Sequence, residues 1–497
     1  MFTENILNAL TNAIKIHGNN NAFVIADSHY TYSSFGERIS AIRKALQLHI
    51  VKSRNIGLLA NDDIDTYAAI FAIWLEGLAY VPLHPQQPIE RSLEIIQQAD
   101  IKLVINSTDT PDLPGVDCLA TGKLVSDQWS LEPRETPEND LAYILFTSGS
   151  TGKPKGVPIT RKNVDAFMRS FWETKIIIDH DDRCLQAFDL TFDVSVQCFL
   201  VPLTRGACAY TIPHNQIKYS YVYGLMEDHK LTFSAMAPSM IRYLRPYFAE
   251  INIPSMRYNI LTAEASPGDL ASEWSKCIPN AEIYDFYGPT ETTIYCTYYK
   301  FHRDRENKLL NGMLSIGKAM PGVYAVVIDE EKNILGAHQK GELCIGGDQV
   351  TPGYWKNPEK NETSFFEIEY LGKKSRFYKT GDSCYIDKEG DIMLAGRLDY
   401  QVKIQGYRIE LGEIEFHVRE FMNGQNAVAV ARENKTGNTE IVLFIESISD
   451  ESEAVLEYLK TKLPYYMIPS QVHSNSVFPL NTNGKVDRNK LKNLILT

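Results

Sequence analysis

One loop of this sequence combines the residue types that hold a polyphosphate. Residues 147–156 read Thr-Ser-Gly-Ser-Thr-Gly-Lys-Pro-Lys-Gly, and they directly follow the apolar run 142–146. A strand that leads into glycines, hydroxyls and lysines can present backbone N–H groups and cations to phosphate oxygens. The common P-loop needs Ser or Thr after its lysine, whereas Pro154 follows Lys153 here. The run therefore predicts a nucleotide-binding loop of a different kind.

The composition narrows the class of protein. A chain of 497 residues with 44% apolar and 23% charged residues predicts a globular protein of more than one domain. The net charge of -12 argues against nucleic-acid binding, although it is compatible with a local basic pocket. The eight cysteines form no Cys-x-x-Cys pair, so a zinc or redox site has no support. With no signal-peptide pattern and no apolar run long enough to cross a bilayer, we expect a cytoplasmic protein without a membrane partner.

The elements that must position the loop follow from the apolar pattern. From about residue 20 to residue 400, short β-rich runs such as 55–60 and 79–82 alternate with helical patterns such as 65–78. This alternation predicts α/β layers with largely parallel sheets. The glycine-bounded runs 341–347 and 390–396 predict a small β subdomain.

The last hundred residues have the pattern of a separate small unit. Helical patterns at 410–419 and 453–462 alternate with strand-like runs at 427–432 and 441–445. We therefore predict a large domain over residues 1–398 and a small α+β domain over residues 399–497.

Five further segments identify a family when they are taken with the loop. They are Phe-Asp-Val-Ser at 192–195, Tyr-Gly-Pro-Thr-Glu-Thr-Thr at 287–293, Tyr-Lys-Thr-Gly-Asp at 378–382, a run of twenty residues at 396–415, and Asn-Gly-Lys-Val-Asp-Arg at 483–488. In this order they resemble the adenylate-forming enzymes, and most of all the amino-acid adenylation domains of nonribosomal peptide synthesis. The resemblance covers nearly the whole chain.

The resemblance implies an ATP-dependent ligase with two half-reactions. A carboxylate first attacks the α-phosphorus of ATP, which gives an acyl-adenylate and pyrophosphate. A thiol then displaces AMP to form a thioester. In such in-line displacement, positioning and charge neutralisation matter more than a nucleophilic side chain.

Family analogy assigns a role to each matching residue. Lys485 is expected to reach the carboxylate and the α-phosphate from the small domain, Thr151 to belong to the catalytic loop, and Glu291 to bind Mg²⁺. Tyr287 is expected to stack on adenine, and Asp399 to be the hinge on which the small domain rotates. The residues assigned to ATP are Thr147, Ser148, Gly149, Ser150, Gly152, Lys153, Asp285, Phe286, Tyr287, Gly288, Thr290, Asp382 and Arg397.

The aspartate of Phe-Asp-Val-Ser indicates which carboxylate is activated. In the amino-acid branch this residue, Asp193, pairs with the α-ammonium group, and a buried carboxylate favours such a cation. The pocket residues implied by the motifs are Asp193, Val194, Gln197, Ala235, Leu261, Ala263, Phe286, Ile294 and Tyr295. Their apolar character favours a small or cyclic apolar amino acid, with proline preferred. The run 261–267 is one residue shorter than the family pattern, which affects Leu261 and Ala263.

Each residue also has a plainer interpretation when it is taken alone. The loop is then a surface linker, Lys485 a solvated lysine and Tyr287 a core aromatic residue. Asp193 is then a helix cap, and Glu291 is the partner of a lysine. The order of six motifs along one chain favours the functional interpretation.

Three functions stay open at this point. The first is an amino-acid ligase that loads a separate phosphopantetheine-bearing carrier protein; no carrier serine motif follows Lys485, although a domain excised from a larger synthetase would look the same. The second is an acyl- or aryl-CoA ligase with free coenzyme A as acceptor. The third is a non-catalytic nucleotide-binding homologue.

Overall fold

The computed structural model describes residues 1–49, 53–108, 113–126, 128–149, 152–213, 216–475, 477–479 and 486–494. The strands are β1 Asn21–Ile25, β2 Ser28–Thr31, β3 Asn55–Leu59, β4 Ala79–Leu83, β5 Leu103–Asn106, β6 Asp117–Ala120, β7 Leu141–Thr147, β8 Lys155–Thr160, β9 Arg183–Gln186, β10 Cys208–Thr211, β11 Phe233–Met236, β12 Tyr258–Thr262, β13 Glu282–Tyr287, β14 Thr297–Lys300, β15 Leu309–Leu310, β16 Met313–Leu314, β17 Lys318–Ala319, β18 Val323–Ile328, β19 Gly341–Gly347, β20 Phe365–Tyr370, β21 Lys373–Ile386, β22 Ile392–Arg397, β23 Gln401–Ile404, β24 Tyr407–Glu410, β25 Ala427–Glu433, β26 Thr439–Glu446 and β27 Gln471–Asn475. The helices are α1 Ala9–Ile16, α2 Tyr32–Leu48, α3 Ile64–Leu75, α4 Ile89–Gln98, α5 Arg161–Glu173, α6 Asp193–Leu203, α7 Lys218–Asp228, α8 Pro238–Leu244, α9 Gly268–Cys277, α10 Pro358–Ser364, α11 Leu411–Phe421, α12 Ser452–Lys462 and α13 Arg488–Asn493.

The chain divides into two units, and the division does not follow the sequence in a single cut. The larger unit comprises Met1–Pro85, Ile96–Leu145 and Gly156–Leu398. The smaller unit comprises Gln86–Ile95, Phe146–Lys155 and Asp399–Thr497. Most of the loop predicted to hold phosphate therefore belongs to the smaller unit.

Two parallel-rich sheets form the larger unit. One has the order β17-β14-β13-β12-β11-β9-β10-β1-β2, and the pairs from β1 through β13 are parallel. The other has the order β6-β5-β3-β4-β7-β8, and its registered pairs are parallel. The largest core contains side chains of both sheets together with those of α3 and α6. These strands and helices have continuous apolar runs because they are buried on every side.

Helix α3 shows how the sequence sets an element's ends. It begins after Asp63, whose side chain accepts a hydrogen bond from the Thr66 amide. It ends at Leu75, three residues before the end expected from the apolar pattern, because Gly77 adopts φ 76°. The amide of Gly77 bonds the carbonyl of Trp74, and the amide of Leu78 bonds that of Ile73, which is a glycine-terminated helix end.

The remaining elements confirm the expected fold class. Strands β18 to β22 form an antiparallel five-stranded sheet, which is the predicted small β subdomain. In the smaller unit, β25, β26 and β27 form a sheet that α11 packs against, and β23 pairs with β24. Within the described part of the chain, no helix has both the length and the apolar character needed to cross a membrane.

Candidate active site

The loop predicted to hold phosphate is engaged by the C-terminal segment of the smaller unit. The Ser148 hydroxyl donates to the carbonyl of Arg408 at 2.9 Å and accepts from the amide of Glu410 at 3.0 Å. The amide of Gly149 donates to Oε2 of Glu413 at 2.9 Å. The Glu413 carboxylate thus accepts a hydrogen bond from one of the backbone N–H groups that were expected to bind phosphate.

Glu413 has a buried counter-ion. Its Oε1 accepts from Nη1 of Arg91 at 2.7 Å, and the two side chains are 0% and 6% exposed, respectively. Burial acts to lower the pKa of Arg91, but the Glu413 carboxylate outweighs that effect and raises it. Arg91 therefore stays charged, and the buried Glu413 side chain depends on it as a partner.

The rest of the loop shows a close approach that requires glycine. Gly152 has φ 80°, and a Cβ atom built there would lie 2.1 Å from the ring of Phe416. Thr147 is half-buried and Lys153 is exposed. Ser150, Thr151 and Lys485 lie outside the described residues, so their predicted roles stay predictions.

Three of the residues assigned to ATP meet in the larger unit. The hydroxyl of Tyr287 donates to Oδ2 of Asp382, and Nη1 of Arg397 lies 3.0 Å from Oδ1 of the same carboxylate. Asp382 and Arg397 are direct partners across β21 and β22. Burial, followed by the charge of Asp382, raises the pKa of the Tyr287 hydroxyl well above its usual value. Tyr287 and Arg397 thus hold the Asp382 carboxylate in an orientation that fits hydrogen bonding to ribose hydroxyls, and the stacking of Tyr287 on adenine stays a prediction.

Asp285 lies on the opposite face of β13 from Phe286. Its Oδ1 accepts from the Ser266 hydroxyl at 2.7 Å. The Phe286 ring packs against Tyr295, with ring centroids 5.0 Å apart. Asp285, which is assigned to ATP, therefore projects from one face of the strand, and Phe286, which is assigned to both ATP and the amino-acid pocket, projects from the other.

Glu291 lies in the turn Thr290–Thr292, which follows β13, and Thr290 is half-buried there. Its side chain is fully buried, and Oε1 accepts from the hydroxyl of Tyr354 at 2.7 Å. Of the described residues, two groups bring three potential metal ligands together, and Glu291 belongs to neither. A single oriented carboxylate fits Mg²⁺ if phosphate oxygens and water complete its coordination shell.

Asp193 and Gln197 face the same side of α6, one turn apart. The Tyr295 hydroxyl lies 3.4 Å from Oε1 of Gln197, and burial raises the pKa of Tyr295 well above its usual value. Gln197 is fully buried, and its Nε2 has no acceptor among the described residues. Four other predicted pocket residues lie in the same core as Tyr295: Val194, Ala235, Phe286 and Ile294.

The structure contradicts the prediction that Leu261 lines the amino-acid pocket. Across β12 and β13, Thr262 is the partner of Phe286 and Leu261 is the partner of Asp285. Paired residues share a face, so Leu261 points away from Phe286 and packs in the other core of the unit. Thr262 lies on the face of Phe286, and its hydroxyl opposes the rise in the pKa of Tyr295 that burial causes. The short run 261–267 moved the predicted position by one residue, which reverses the face.

Ala263 stays a predicted pocket residue, and three residues of the site were not predicted from the sequence. Ala263 is half-buried and adopts φ 69°, a conformation that favours glycine. Tyr354, Glu413 and Arg91 were missed, because each acts through a partner that is distant in sequence. Asp399 is exposed, and its Oδ1 accepts from the amide of Gln401 at 3.1 Å.

Comparison with known proteins gives the class. The model of the family described as AMP-binding enzyme matches residues 10–355. The chain therefore belongs to the AMP-binding enzymes.

Individual relatives refine this class and confirm the resemblance to amino-acid adenylation domains. The chain is 30% identical, over 96% of its length, to Tyrocidine synthase 1 of Brevibacillus parabrevis, of which it covers 44%. It is 30% identical, over 95% of its length, to Tyrocidine synthase 3 of the same organism, of which it covers 7%. The chain thus spans less than half the length of these curated relatives.

Solved structures establish the fold. The adenylation domain AlmE of Vibrio cholerae, in complex with glycyl-adenosine-5'-phosphate, has a TM-score of 0.86 at 23% identity, covering 99% of this chain and 97% of that one. Holo-PA1221, a protein with adenylation and PCP domains bound to a vinylsulfonamide inhibitor, has a TM-score of 0.87 at 22% identity, with coverages of 99% and 85%. A double mutant of the o-succinylbenzoate CoA synthetase MenE of Bacillus subtilis has a TM-score of 0.82 at 20% identity, with coverages of 98% and 98%.

Proposed function

We propose that the protein joins an amino acid to AMP and then passes it to the phosphopantetheine thiol of a separate carrier protein. The observation that carries the proposal is the position of Asp193 at the start of α6, one turn before Gln197 and close enough to Tyr295 for its charge to help raise the pKa of the Tyr295 hydroxyl. Asp193 supplies a buried negative charge, which an α-ammonium group can pair and a fatty acid cannot. Family membership supplies the nucleotide chemistry around it.

The first half-reaction forms an oxygen–phosphorus bond and breaks another. A carboxylate oxygen of the amino acid attacks the α-phosphorus, and the bond to the bridging oxygen breaks, so that pyrophosphate leaves with the electron pair. Asp382, oriented by Tyr287 and Arg397, would hold the ribose. Glu291 would hold Mg²⁺, which neutralises phosphate charge when it is bound. By family analogy, Lys485 would stabilise charge at the α-phosphate.

The second half-reaction needs a thiol acceptor. The thiolate of a carrier-bound phosphopantetheine attacks the carbonyl carbon of the aminoacyl-adenylate, and AMP leaves. Rotation at Asp399 would separate the two steps, with residues 1–398 and 399–497 as the moving bodies. We propose a cytoplasmic site of action.

The pocket walls favour a small or cyclic apolar amino acid, and proline is our leading candidate. Phe286, Tyr295 and Ile294 supply apolar and aromatic surface. Gln197 adds a hydrogen-bond donor, Nε2, that a substrate oxygen could accept from. Hydroxyproline and glutamine therefore belong beside proline in any substrate survey.

The test is exchange of labelled pyrophosphate into ATP with each proteinogenic amino acid and hydroxyproline. We expect exchange with one amino acid or a small set, and a much higher amino-acid KM in Asp193→Ala with a nearly unchanged ATP KM. Asp182→Asn is the matched control, because Asp182 is a buried carboxylate that pairs with Arg257 at the other end of β9. Exchange with no amino acid, or an unchanged amino-acid KM in Asp193→Ala, would reject the proposal.

The same fold carries a CoA ligase, so acyl- or aryl-CoA ligation is the second candidate. Its first half-reaction is the same, and the acceptor separates the two functions. Exchange with an aromatic or fatty acid, followed by thioester formation on free coenzyme A, would establish it. A non-catalytic homologue would bind ATP without exchange.

A further inference from the structure

We propose that Gln349 is a positioning residue for the amino-acid pocket, because its side-chain amide holds the strained turn that carries Ile294 and Tyr295. The inference rests on the proposed function, in which these two residues form part of the pocket wall. Gln349 lies after β19, more than fifty residues along the chain from the turn, and no motif marks it.

The turn after Glu291 is strained. Thr293 has φ 59° and Ile294 has φ 72°, a left-handed conformation that β-branched side chains disfavour. The amide of Tyr295 donates to the carbonyl of Thr293 at 3.0 Å, two residues back. A three-residue turn with its central residue at positive φ is rare. Such a backbone persists only where the surrounding structure holds it.

Gln349 makes that restraint. One end of its side-chain amide faces three carbonyl oxygens, so that end is the donor Nε2. It lies 2.6 Å from the carbonyl oxygen of Tyr295, and 3.3 and 3.4 Å from those of Thr292 and Thr293. The Thr293 hydroxyl in turn donates to the backbone carbonyl oxygen of Gln349 at 2.6 Å. The clamp is dry, because these residues are 0–2% exposed.

The clamp is itself anchored. The side-chain amide of Asn163, at the start of α5, donates to the carbonyls of Asp348 and Val350 at 2.7 and 3.1 Å. The amide of Thr351 donates to the carbonyl of Glu291 at 2.9 Å. The segment around Gln349 is therefore fixed to the frame of the unit on both sides, and it cannot follow the turn if the turn relaxes.

The positions that depend on the clamp are those that face the substrate. Tyr295 lies within hydrogen-bonding distance of Gln197 and packs on Phe286, so a shift of its backbone moves two parts of the pocket wall. Gln349 also keeps a buried acceptor, Oε1, without a partner among the described residues. Because an unpaired buried acceptor weakens a protein, stability alone does not account for this side chain.

The test is Gln349→Met, which keeps the side-chain length and removes the amide. In pyrophosphate exchange we expect the amino-acid KM to rise about tenfold, roughly the effect of losing one buried hydrogen bond, while the ATP KM changes by less than about twofold. Discrimination between the preferred amino acid and its nearest competitor should also fall. Asn259→Leu is the control, since Asn259 is a buried amide of the same unit bonded to Ser234 and Trp274. It should leave both KM values unchanged.

If Gln349→Met fails to fold, Thr293→Val removes the hydroxyl bond to the Gln349 carbonyl with little change of shape, and it should raise the amino-acid KM in the same way. An unchanged amino-acid KM and selectivity in a folded variant would overturn the inference. Equal rises in the amino-acid and ATP KM values, or the same rise in Asn259→Leu, would overturn it too, because they indicate general loosening. Wild-type protein that exchanges with no amino acid would instead reject the proposed function.

Discussion

The ion pair of Arg91 and Glu413 offers a prediction whose size follows from burial. Replacing Arg91 by methionine leaves the Glu413 carboxylate buried with the Gly149 amide but without its cation. Breaking a buried pair in this way costs about 3–5 kcal/mol. We therefore expect the smaller unit to open more easily by about 4 kcal/mol, which corresponds to about three orders of magnitude in the opening equilibrium.

Hydrogen exchange measured by mass spectrometry on peptides of α11 reads this opening directly, because Glu413 lies in the first turn of that helix. The five tryptophans are at positions 74, 129, 172, 274 and 355, all in the larger unit, so their fluorescence checks that this unit stays folded. Lys462→Met is the matched control, since Lys462 forms a partly exposed pair with Glu90, and such surface pairs are worth about 0–1 kcal/mol.

A second substitution sharpens the test. Glu413→Gln in the Arg91→Met background removes the stranded charge while keeping an acceptor for the Gly149 amide, and we expect it to restore most of the protection. The argument from burial would be refuted if the hydrogen-exchange rate of α11 in Arg91→Met stayed within about tenfold of the wild-type rate. It would also be refuted if the double variant recovered none of the lost protection.

Three further predictions test the site and the smaller unit. Lys485→Ala should lower the rate of pyrophosphate exchange into ATP by about two to three orders of magnitude while the circular dichroism spectrum stays unchanged. A near-normal rate of pyrophosphate exchange would refute the role of Lys485. Tyr354→Phe removes the hydroxyl that Glu291 accepts from, so the Mg²⁺ concentration for half-maximal exchange should rise about tenfold; an unchanged Mg²⁺ response would contradict this. Burial lowers the pKa of His417 below its usual 6.5, so the unfolded chain binds the proton more tightly, and stability is lost as pH falls from that value through the folded-state pKa. His417→Gln should flatten this acid decline in urea unfolding profiles, and an identical decline would show that another group causes it.

Much of the fold could be predicted because buried elements have a recognisable local pattern of apolar residues. The strands β3 and β4 are buried on both faces, so their apolar runs are continuous, and α3 between them is apolar on all sides. The local pattern also predicted the glycine-bounded strand β19 and the alternation of α11, β25 and α12.

The candidate site could be predicted only in part, because its geometry depends on partners far apart in sequence. Leu261 was misplaced because one missing residue reverses the face of a strand. No local pattern indicates that Glu413 accepts a hydrogen bond from the Gly149 amide. The strain at Ile294 was also invisible, since nothing in its residue type marks a positive φ.

The central claim is that Asp193 selects a carboxylate that carries an ammonium group. The most direct measurement compares pyrophosphate exchange with the activated amino acid and with the same acid lacking its nitrogen; for proline this is cyclopentanecarboxylic acid. The account predicts exchange with the amino acid and almost none with the analogue, and little discrimination between them in Asp193→Ala. Equal exchange with both acids in the wild-type protein would contradict it.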